Sequence, residues 1–177
     1  MGKREEKEMK SKFKSVDVLP LINYLSNYLK LNTKRYEVVG SYRRKKEEIG
    51  DLEFLVIGLT TKEILNWLKK SKTLEVKSIL WLGDKKMAVM VNYGKIQNLQ
   101  LEFYITESKY WHAAILTRTG SGMFNIVMRG KAKKQGFKLN EYGLFNLSGQ
   151  QVSYKKTEKG IMEKLGMDWH KPEERNM

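Results

Sequence analysis

Two acidic residues at alternate positions of an apolar strand constrain the fold of this 177-residue chain more than any other feature. In the run DLEFLVIG, residues 51–58, Asp51 and Glu53 leave the same face, because successive side chains of a strand point to opposite sides. The surrounding apolar residues indicate a largely buried strand rather than a solvated edge strand. Carboxylates in such a strand repel each other, and a cation between them would relieve the repulsion.

The composition limits which cation this can be. The chain has no cysteine and only two histidines, His112 and His170. These counts disfavour a zinc site, whereas paired carboxylates suit hard, oxygen-binding ions such as Mg²⁺ or Mn²⁺. The sequence therefore predicts a magnesium-type or manganese-type site on this strand.

The segment just upstream, GSYRR at residues 40–44, suits an anion. Gly40 and Ser41 end the predicted strand YEVVG and open a helical turn, where free backbone N–H groups can hold an anion. Arg43 and Arg44 follow within one turn. A phosphate site is therefore predicted next to the metal site.

Periodicity predicts the remaining elements. Helices are expected over 16–31, 61–71, 110–118, 122–136 and 157–165. Strands are expected over 36–40, 51–58, 76–83, 86–94 and 98–105 and around Leu139 and Leu144, with a hairpin turn at Gly83-Asp84. Pro20 is tolerated only in the first turn of the first helix. The change to a helical pattern after residue 109 predicts a domain boundary near Ser108.

The net charge favours a polyanionic partner. Thirty-four Lys and Arg against twenty Asp and Glu give a formal charge of +14, carried by both halves of the chain. No apolar run is long enough to span a bilayer, and the basic N-terminus lacks the apolar stretch of a signal peptide. The absence of cysteine suits a reducing compartment. We therefore expect an intracellular nucleic-acid-binding protein, in cytoplasm or nucleus, without a membrane partner.

Four ordered motifs resemble the family X DNA polymerases of the nucleotidyltransferase superfamily, from about residue 16 to the end. GSYRRKKEEIGDLEF at 40–54 is similar to the palm motif, and NLQLEFYIT at 98–106 supplies Glu102 where a third metal-binding acid is expected. TGSGMFNIVMRGKAKKQGFKLNEYGLF at 119–145 is similar to the thumb. The tail, with Trp169, Pro172 and Arg175, is similar to the family's ending.

The resemblance implies a fold and a domain organisation. The expected fold is α+β: a nucleotidyltransferase palm with a mixed β-sheet and packed helices over 16–108, then a small α+β thumb over 109–177. A charged N-terminal tail at 1–15 precedes them, with no lyase or fingers domain. Such a reduced palm-plus-thumb form suggests a viral or similarly streamlined repair enzyme, acting in the host cytoplasm or the virion if it is viral.

The resemblance also implies a reaction and its residues. The chain is expected to act as a monomer on gapped or primer–template DNA, adding dNTPs to a primer 3′-hydroxyl with two Mg²⁺ or Mn²⁺ ions. Asp51 and Glu53 would hold both ions, and Glu102 would hold one and accept the hydroxyl proton. The implied nucleotide-binding residues are Gly40, Ser41, Arg44, Gly50, Gly120, Ser121 and Asn125; the implied template or primer contacts are Arg129 and Tyr142. Arg43 is expected to face the sheet or solvent.

Several departures from the family pattern leave alternatives open. Glu53 and Glu102 stand where the family usually has aspartate, and Thr117-Arg118 stands where an aromatic pair commonly excludes ribonucleotides. Gln100 replaces a basic primer contact. The alternatives are a template-independent terminal or RNA nucleotidyltransferase, and a nucleic-acid-binding pseudoenzyme. Other expectations are a cis peptide at Gly120-Ser121 and core positions for Trp67 and Trp81, and Trp169 is the best of the four tryptophans as a candidate for base stacking.

Overall fold

The structure, a computed structural model, describes residues 11–177, so residues 1–10 of the predicted tail lie outside the described residues. The strands are β1 (Phe13–Lys14), β2 (Arg35–Val38), β3 (Glu48–Ile49), β4 (Asp51–Ile57), β5 (Leu74–Leu82), β6 (Lys86–Tyr93), β7 (Ile96–Ile105), β8 (Phe137–Asn140) and β9 (Gly143–Asn146). The helices are α1 (Leu19–Asn32), α2 (Gly40–Arg43), α3 (Thr61–Lys70), α4 (Trp111–Thr119), α5 (Gly122–Lys134) and α6 (Glu158–Lys164), and short 3₁₀ turns span Ser108–Tyr110 and Pro172–Glu174.

A mixed five-stranded sheet organises the first part of the chain. Its strand order is β2-β4-β7-β6-β5, with β4 and β7 parallel and the other neighbours antiparallel. Leu52, Phe54 and Val56 of β4 point into the main core. Asp51 and Glu53 therefore lie on the opposite face, as the alternation of the strand predicts.

Helix α1 covers the core face of the sheet with the apolar stripe that the sequence predicts. Leu21, Ile22, Leu25 and Leu29 are all buried, and Pro20 lies in the first turn. Helix α3 packs on the same face and begins with a capping box, in which Thr60 accepts from the Glu63 N–H and the Glu63 carboxylate accepts from the Thr60 N–H.

The second part of the chain has a core of its own. Helices α4, α5 and α6 and the β8–β9 hairpin bury a cluster that includes Leu116, Phe124, Met128, Leu144 and Ile161. Packing alone thus accounts for Phe124 and Met128. The two parts confirm the predicted α+β architecture, with a mixed sheet and packed helices first and a small α+β unit after it. The predicted boundary at Ser108 falls in the 3₁₀ turn before α4.

Two expectations about local structure differ from what is observed. Phe13 and Lys14, within the predicted tail, pair with Ile49 and Glu48 of β3. Trp81, expected in the core, is 61% exposed, because β5 is an edge strand and no element covers that face of it. Trp67 is half-buried in a ring stack with Tyr28, their centroids 3.8 Å apart.

None of the helices in residues 11–177 has the length and apolar character needed to cross a membrane.

Candidate active site

The three predicted metal-binding acids lie on two neighbouring parallel strands. Glu53 of β4 is in register with Glu102 of β7, and Asp51 is in register with Gln100. Side chains of paired residues point to the same face of a sheet, so all three carboxylates project from the face opposite the core. The structure thus brings together the acids that the sequence singles out.

Gly40 fits against Glu53 in a way that no other residue could. Its φ is +63°, a left-handed conformation that favours glycine, and a Cβ at this position would overlap Glu53 Oε2. The Val39 N–H donates to the Glu53 carbonyl over 2.8 Å, which holds the start of α2 against β4. The extra methylene of Glu53, compared with aspartate, therefore extends into space left by the missing side chain of Gly40.

The charge balance at Glu53 is unfavourable. Burial, together with the negative charges of Asp51 and Glu102, raises the pKa of Glu53 to about 7, and the cations Arg118 and Arg44 compensate only in part. A carboxyl group with so high a pKa is half protonated at neutral pH. A positive charge added near Glu53 would therefore stabilise the ionised form of its carboxyl group.

The raised pKa of Glu53 predicts that this residue makes the stability of the fold depend on pH. Because the folded-state pKa lies above the ordinary value of 4.5, the neutral carboxyl stabilises the fold at low pH, and that stability is lost as pH rises to about 7. In chelator, the Glu53→Gln variant should therefore become more stable relative to the parent between pH 5 and 7. Urea unfolding at each pH measures the difference, and a constant difference would contradict the assignment.

Three neighbours hold the Glu102 carboxylate. Its Oε2 accepts from the Tyr104 hydroxyl at 2.5 Å and pairs with Lys86 Nζ at 2.9 Å, and its Oε1 accepts from Gln100 Nε2 at 2.5 Å. Burial raises the pKa of Glu102, but these hydrogen bonds and the Lys86 charge outweigh burial, so the net pKa is below its ordinary value. Glu102 is therefore ionised at neutral pH.

We expect Glu102→Asp to lower nucleotide incorporation by about tenfold to a hundredfold, because a carboxylate shortened by one methylene cannot reach its partners and catalytic geometry is sensitive to shifts of about 1 Å. Single-nucleotide gap filling in Mg²⁺ and in Mn²⁺ measures the effect. Glu102→Gln, which keeps the length and loses the charge, is the matched comparison. A gain of activity in Mg²⁺ for Glu102→Asp would show that the glutamate impairs the site and that the site has not adapted to it.

The predicted metal ligands are chemically suited to a hard divalent cation. Within residues 11–177, no three acidic or histidine side chains form a ready metal cluster. The Lys86 ammonium contacts Glu102 where positive charge is needed, so a metal ion would have to displace it. Every predicted ligand is a carboxylate, and Mg²⁺ or Mn²⁺ would favour the ionised form of Glu53, whose pKa is raised by burial and by the charges of Asp51 and Glu102. The donor types therefore suit the predicted ions, although the described side chains are not arranged as a metal cluster.

The two arginines after the Gly40 turn reach into the second part of the chain. Arg44 Nη1 donates to the Thr119 carbonyl over 2.7 Å, and its Nε donates to Asn176 Oδ1 over 2.9 Å. Burial lowers the pKa of Arg44, against the raising effects of Glu53 and Asp51. Arg44 thus lies at the predicted position beside the carboxylates, although part of its donor capacity is already used.

Arg43 corrects an expectation. It faces neither the sheet nor solvent: its Nη1 donates to Thr119 Oγ1 over 2.6 Å, and its guanidinium binds both oxygens of Glu158, over 3.0 and 2.8 Å. Glu158 also accepts from Arg175 Nη1 over 2.7 Å. Arg175 is fully buried, and its other nitrogens donate to the His170 carbonyl. A partly buried Arg43–Glu158–Arg175 triad therefore fastens α2 to α6 and the C-terminal segment.

The predicted thumb-side nucleotide residues cluster at the start of α5. Ser121 is the N-cap of α5, its hydroxyl accepting from the Phe124 N–H, and a Cβ on Gly120 would lie 3.0 Å from the Phe124 ring and 3.1 Å from Asn125 Oδ1. Asn125 Nδ2 donates to the Thr117 carbonyl, while its buried Oδ1 has no hydrogen-bond partner among the described residues. No cis peptide occurs in residues 11–177, so the one expected at Gly120-Ser121 is absent.

The other predicted contacts are accessible to a ligand to different degrees. Arg129 is exposed on α5, and Tyr142 is 40% exposed, with its ring edge against Tyr110. Ser41, within α2, and Gly50, just before β4, are half-buried. Trp169 is 37% exposed and lies under the Arg175 guanidinium, which occupies one of its faces.

Sequence reasoning missed three residues that shape the site. Tyr104 lies two residues after Glu102, on the same face of β7, a spacing that could have revealed it. Lys86 opens the neighbouring strand, and Arg118 of α4 stacks on the Tyr104 ring at 3.9 Å and pairs with Glu141 at 3.4 Å. These two residues carry no local signal, because only the strand pairing and the α4 packing bring them to Glu102.

Comparison with known proteins agrees with this geometry. A family model described as DNA polymerase beta thumb matches residues 114–176. The Repair DNA polymerase X of African swine fever virus is 28% identical over 153 residues, which is 86% of this chain and 87% of that protein. The DNA polymerase/3′-5′ exonuclease PolX of Bacillus subtilis is 24% identical over 139 residues, which is 78% of this chain and 24% of that protein.

Solved structures share the fold. Leishmania infantum polymerase beta, in a ternary P/T complex, superposes with a TM-score of 0.80 at 23% identity, over 95% of this chain and 78% of that one. The same polymerase in a ternary gap complex gives a TM-score of 0.81 at 22% identity, over 95% and 72%. With a thumb match at one end, polymerase relatives along most of its length and three carboxylates on adjacent strands, this chain is similar to the family X DNA polymerases.

Proposed function

We propose that this chain is a template-directed repair polymerase that adds dNTPs to a primer 3′-hydroxyl in short DNA gaps, acting as a monomer. The observation that carries the proposal is the placement of Asp51, Glu53 and Glu102 on one face of adjacent strands, next to a glycine turn and Arg44. The names of the relatives, Repair DNA polymerase X among them, and the gap complex of a structural neighbour support the substrate.

In this proposal Asp51 and Glu53 would hold two Mg²⁺ or Mn²⁺ ions and Glu102 one of them. Bound there, the ions would supply positive charge to the triphosphate and lower the pKa of the primer hydroxyl. Glu102, held by Tyr104 and Gln100 after an ion has displaced Lys86, would take the hydroxyl proton. The hydroxyl oxygen then bonds to the α-phosphorus as the bond to pyrophosphate breaks.

The remaining predicted residues position the substrates. Gly40, Ser41, Arg44 and Gly50 would bind the triphosphate, and an incoming phosphate would compete with Thr119 and Asn176 for the Arg44 guanidinium. On the thumb side, Gly120 and Ser121 would lie beneath the sugar. Asn125, whose buried Oδ1 has no hydrogen-bond partner within residues 11–177, would contact the base edge. Arg129 and Tyr142, both exposed, would contact the template or primer strand.

A template-independent terminal or RNA nucleotidyltransferase is the second candidate. The observation in its favour is that Thr117 and Arg118 replace the expected aromatic pair. Thr117 is buried and bonds back to the Ala113 carbonyl, and Arg118 is held by Tyr104 and Glu141, so neither presents an aromatic ring toward a nucleotide sugar. The nucleic-acid-binding pseudoenzyme, suggested only by the two glutamates, is the third.

One extension assay separates the three candidates. A labelled primer is offered alone, on a template and in a one-nucleotide gap, with dNTPs or NTPs, in Mg²⁺ or Mn²⁺. The proposal expects template-matched dNTP addition, fastest in the gap. Addition to the unpaired primer, or equal use of NTPs, would favour the second candidate. DNA binding without addition in either metal would favour the pseudoenzyme.

A further inference from the structure

The exposed edge of the sheet carries an apolar surface that the proposed site does not use. On β5, the side chains of Ile79, Leu80, Trp81 and Leu82 are between 42% and 61% exposed, and Trp81 is the most exposed of them. These side chains are divided between the two faces of the strand, and Trp81 is the large apolar side chain exposed on the face of Ala88. Trp81 is therefore the residue whose function has to be explained.

Strand register places Trp81 in line with the catalytic carboxylates. Trp81 pairs with Ala88 of β6, Ala88 pairs with Glu102 of β7, and Glu102 pairs with Glu53 of β4. Directly paired residues share a face, so the indole lies on the same face of the sheet as the carboxylates. At about 4.8 Å between strands, the backbone of Trp81 is roughly 10 Å from that of Glu102.

The residues between Trp81 and Glu102 are small. Ala88 carries only a methyl group and is buried among its neighbours, so no large side chain stands between the indole and Glu102 on β6. Gly83 in the hairpin turn has no side chain, and a Cβ there would lie 3.2 Å from Trp81 Nε1, so the indole extends along the turn. The segment 77–86 adds three lysines against one aspartate, a charge balance that suits a polyanion.

The geometry of the proposed reaction sets the direction of the primer. The triphosphate side of the site, with Gly40 and Arg44, borders β4 on the side facing β2. In phosphoryl transfer the attacking and leaving oxygens lie roughly in line, so the primer hydroxyl must approach from the other side. That side is β7, then β6, then β5. A strand ending at Glu102 would therefore run over Ala88 toward Trp81.

From this placement we infer that Trp81 binds the primer strand, its indole packing against a deoxyribose about three nucleotides before the 3′ end. The position follows from the distance of roughly 10 Å and a rise of about 3.4 Å per nucleotide. The inference rests on the proposed function, because that function supplies the strand and its direction. Trp81 thus acts in holding the primer and takes no part in the chemistry.

The experiment compares Trp81→Ala with Leu82→Ala, a substitution in the same strand, of a residue that is 42% exposed and belongs to the opposite face. Fluorescence anisotropy measures the affinity of the full chain for template DNA with an annealed eight-nucleotide primer and for the same template without a primer. With the primer, Trp81→Ala should weaken binding about tenfold and Leu82→Ala should not. Without the primer, the two variants should bind alike.

Each contrary result has a separate meaning. Equal affinity of Trp81→Ala and parent for the primed template overturns the inference, as does a loss that persists without the primer. A parent that elutes as a dimer, and a Trp81→Ala variant that elutes as a monomer, would overturn it in favour of pairing between two copies at β5. A parent that binds DNA without extending it overturns the proposed polymerase activity, while the affinity comparison still decides whether Trp81 contacts a strand.

Discussion

Replacing Asp51 by alanine should slow nucleotide incorporation by at least about a hundredfold to a thousandfold while leaving DNA affinity nearly unchanged. The rate falls because Asp51 would hold both ions, and preorganised charge at the reacting phosphate is the largest contribution to this type of catalysis. Affinity is retained because it comes from basic residues spread over a chain of net charge +14. Single-turnover gap filling measures the rate, and anisotropy measures the affinity.

The fold should tolerate this substitution. Asp51 is one of the groups that raise the pKa of Glu53, so its removal relieves repulsion in the ion-free protein. The melting temperature of Asp51→Ala in chelator should therefore equal or exceed that of the parent, which separates a catalytic loss from misfolding. Asp168→Ala removes the same charge from an exposed position and should incorporate normally. Normal turnover by Asp51→Ala would remove the active-site assignment altogether.

The parts of this molecule that the sequence predicts are those controlled by short-range periodicity. The i, i+2 spacing of Asp51 and Glu53 was sufficient to place both on the site face, because a strand has no other way to orient them. The stripe from Leu21 to Leu29 predicted the buried face of α1 in the same way, and Pro20 and the Gly83-Asp84 pair marked a helix start and a hairpin turn. The hydrophobic face and the backbone restrictions together determine these features.

Features that depend on partners far along the chain were not predictable. Arg43 and Glu158 are 115 residues apart, and nothing near Arg43 in the sequence indicates that its side chain binds the first residue of α6. Trp81 lies in an apolar run that reads as buried, but strand order makes β5 an edge. The apolar pattern shows which residues can be buried, whereas the topology decides which are.

The two glutamates illustrate how structure resolves a question that sequence alone leaves open. Each is longer than the family's usual aspartate by one methylene. Glu53 uses that length to lie against Gly40, and Glu102 uses it to meet Tyr104, Lys86 and Gln100. A glutamate to which the surrounding structure had not adapted would not have such a set of matched partners. The contacts therefore favour a site that has adjusted around glutamate.

Replacing Glu158 by alanine should lower the free energy of unfolding by about 3–5 kcal/mol, the loss expected when one partner of a buried ion pair is removed. Arg43 and Arg175 would then face each other without the carboxylate, and the Arg175 side chain has no exposure to water. Burial raises the pKa of Glu158, but its bonds to the two arginines outweigh burial and leave the pKa below its ordinary value. The contribution of Glu158 is therefore present at neutral pH and lost as pH falls below about 4.5.

Glu163→Ala on the same helix is the matched control, because the Lys159–Glu163 pair is exposed and should contribute less than about 1 kcal/mol. A companion variant, Glu158→Leu with Arg43→Met and Arg175→Met, removes all three charges and should recover most of the lost stability, since apolar replacements of buried ion triads are often neutral. Urea unfolding at pH 7 compares the variants.

Because the triad joins α2 to α6, the recovered variant should still fill gaps more slowly than the parent if the triad also positions Arg44. A Glu158→Ala variant as stable as the parent would show that the contacts among the three side chains do not contribute to the free energy of unfolding.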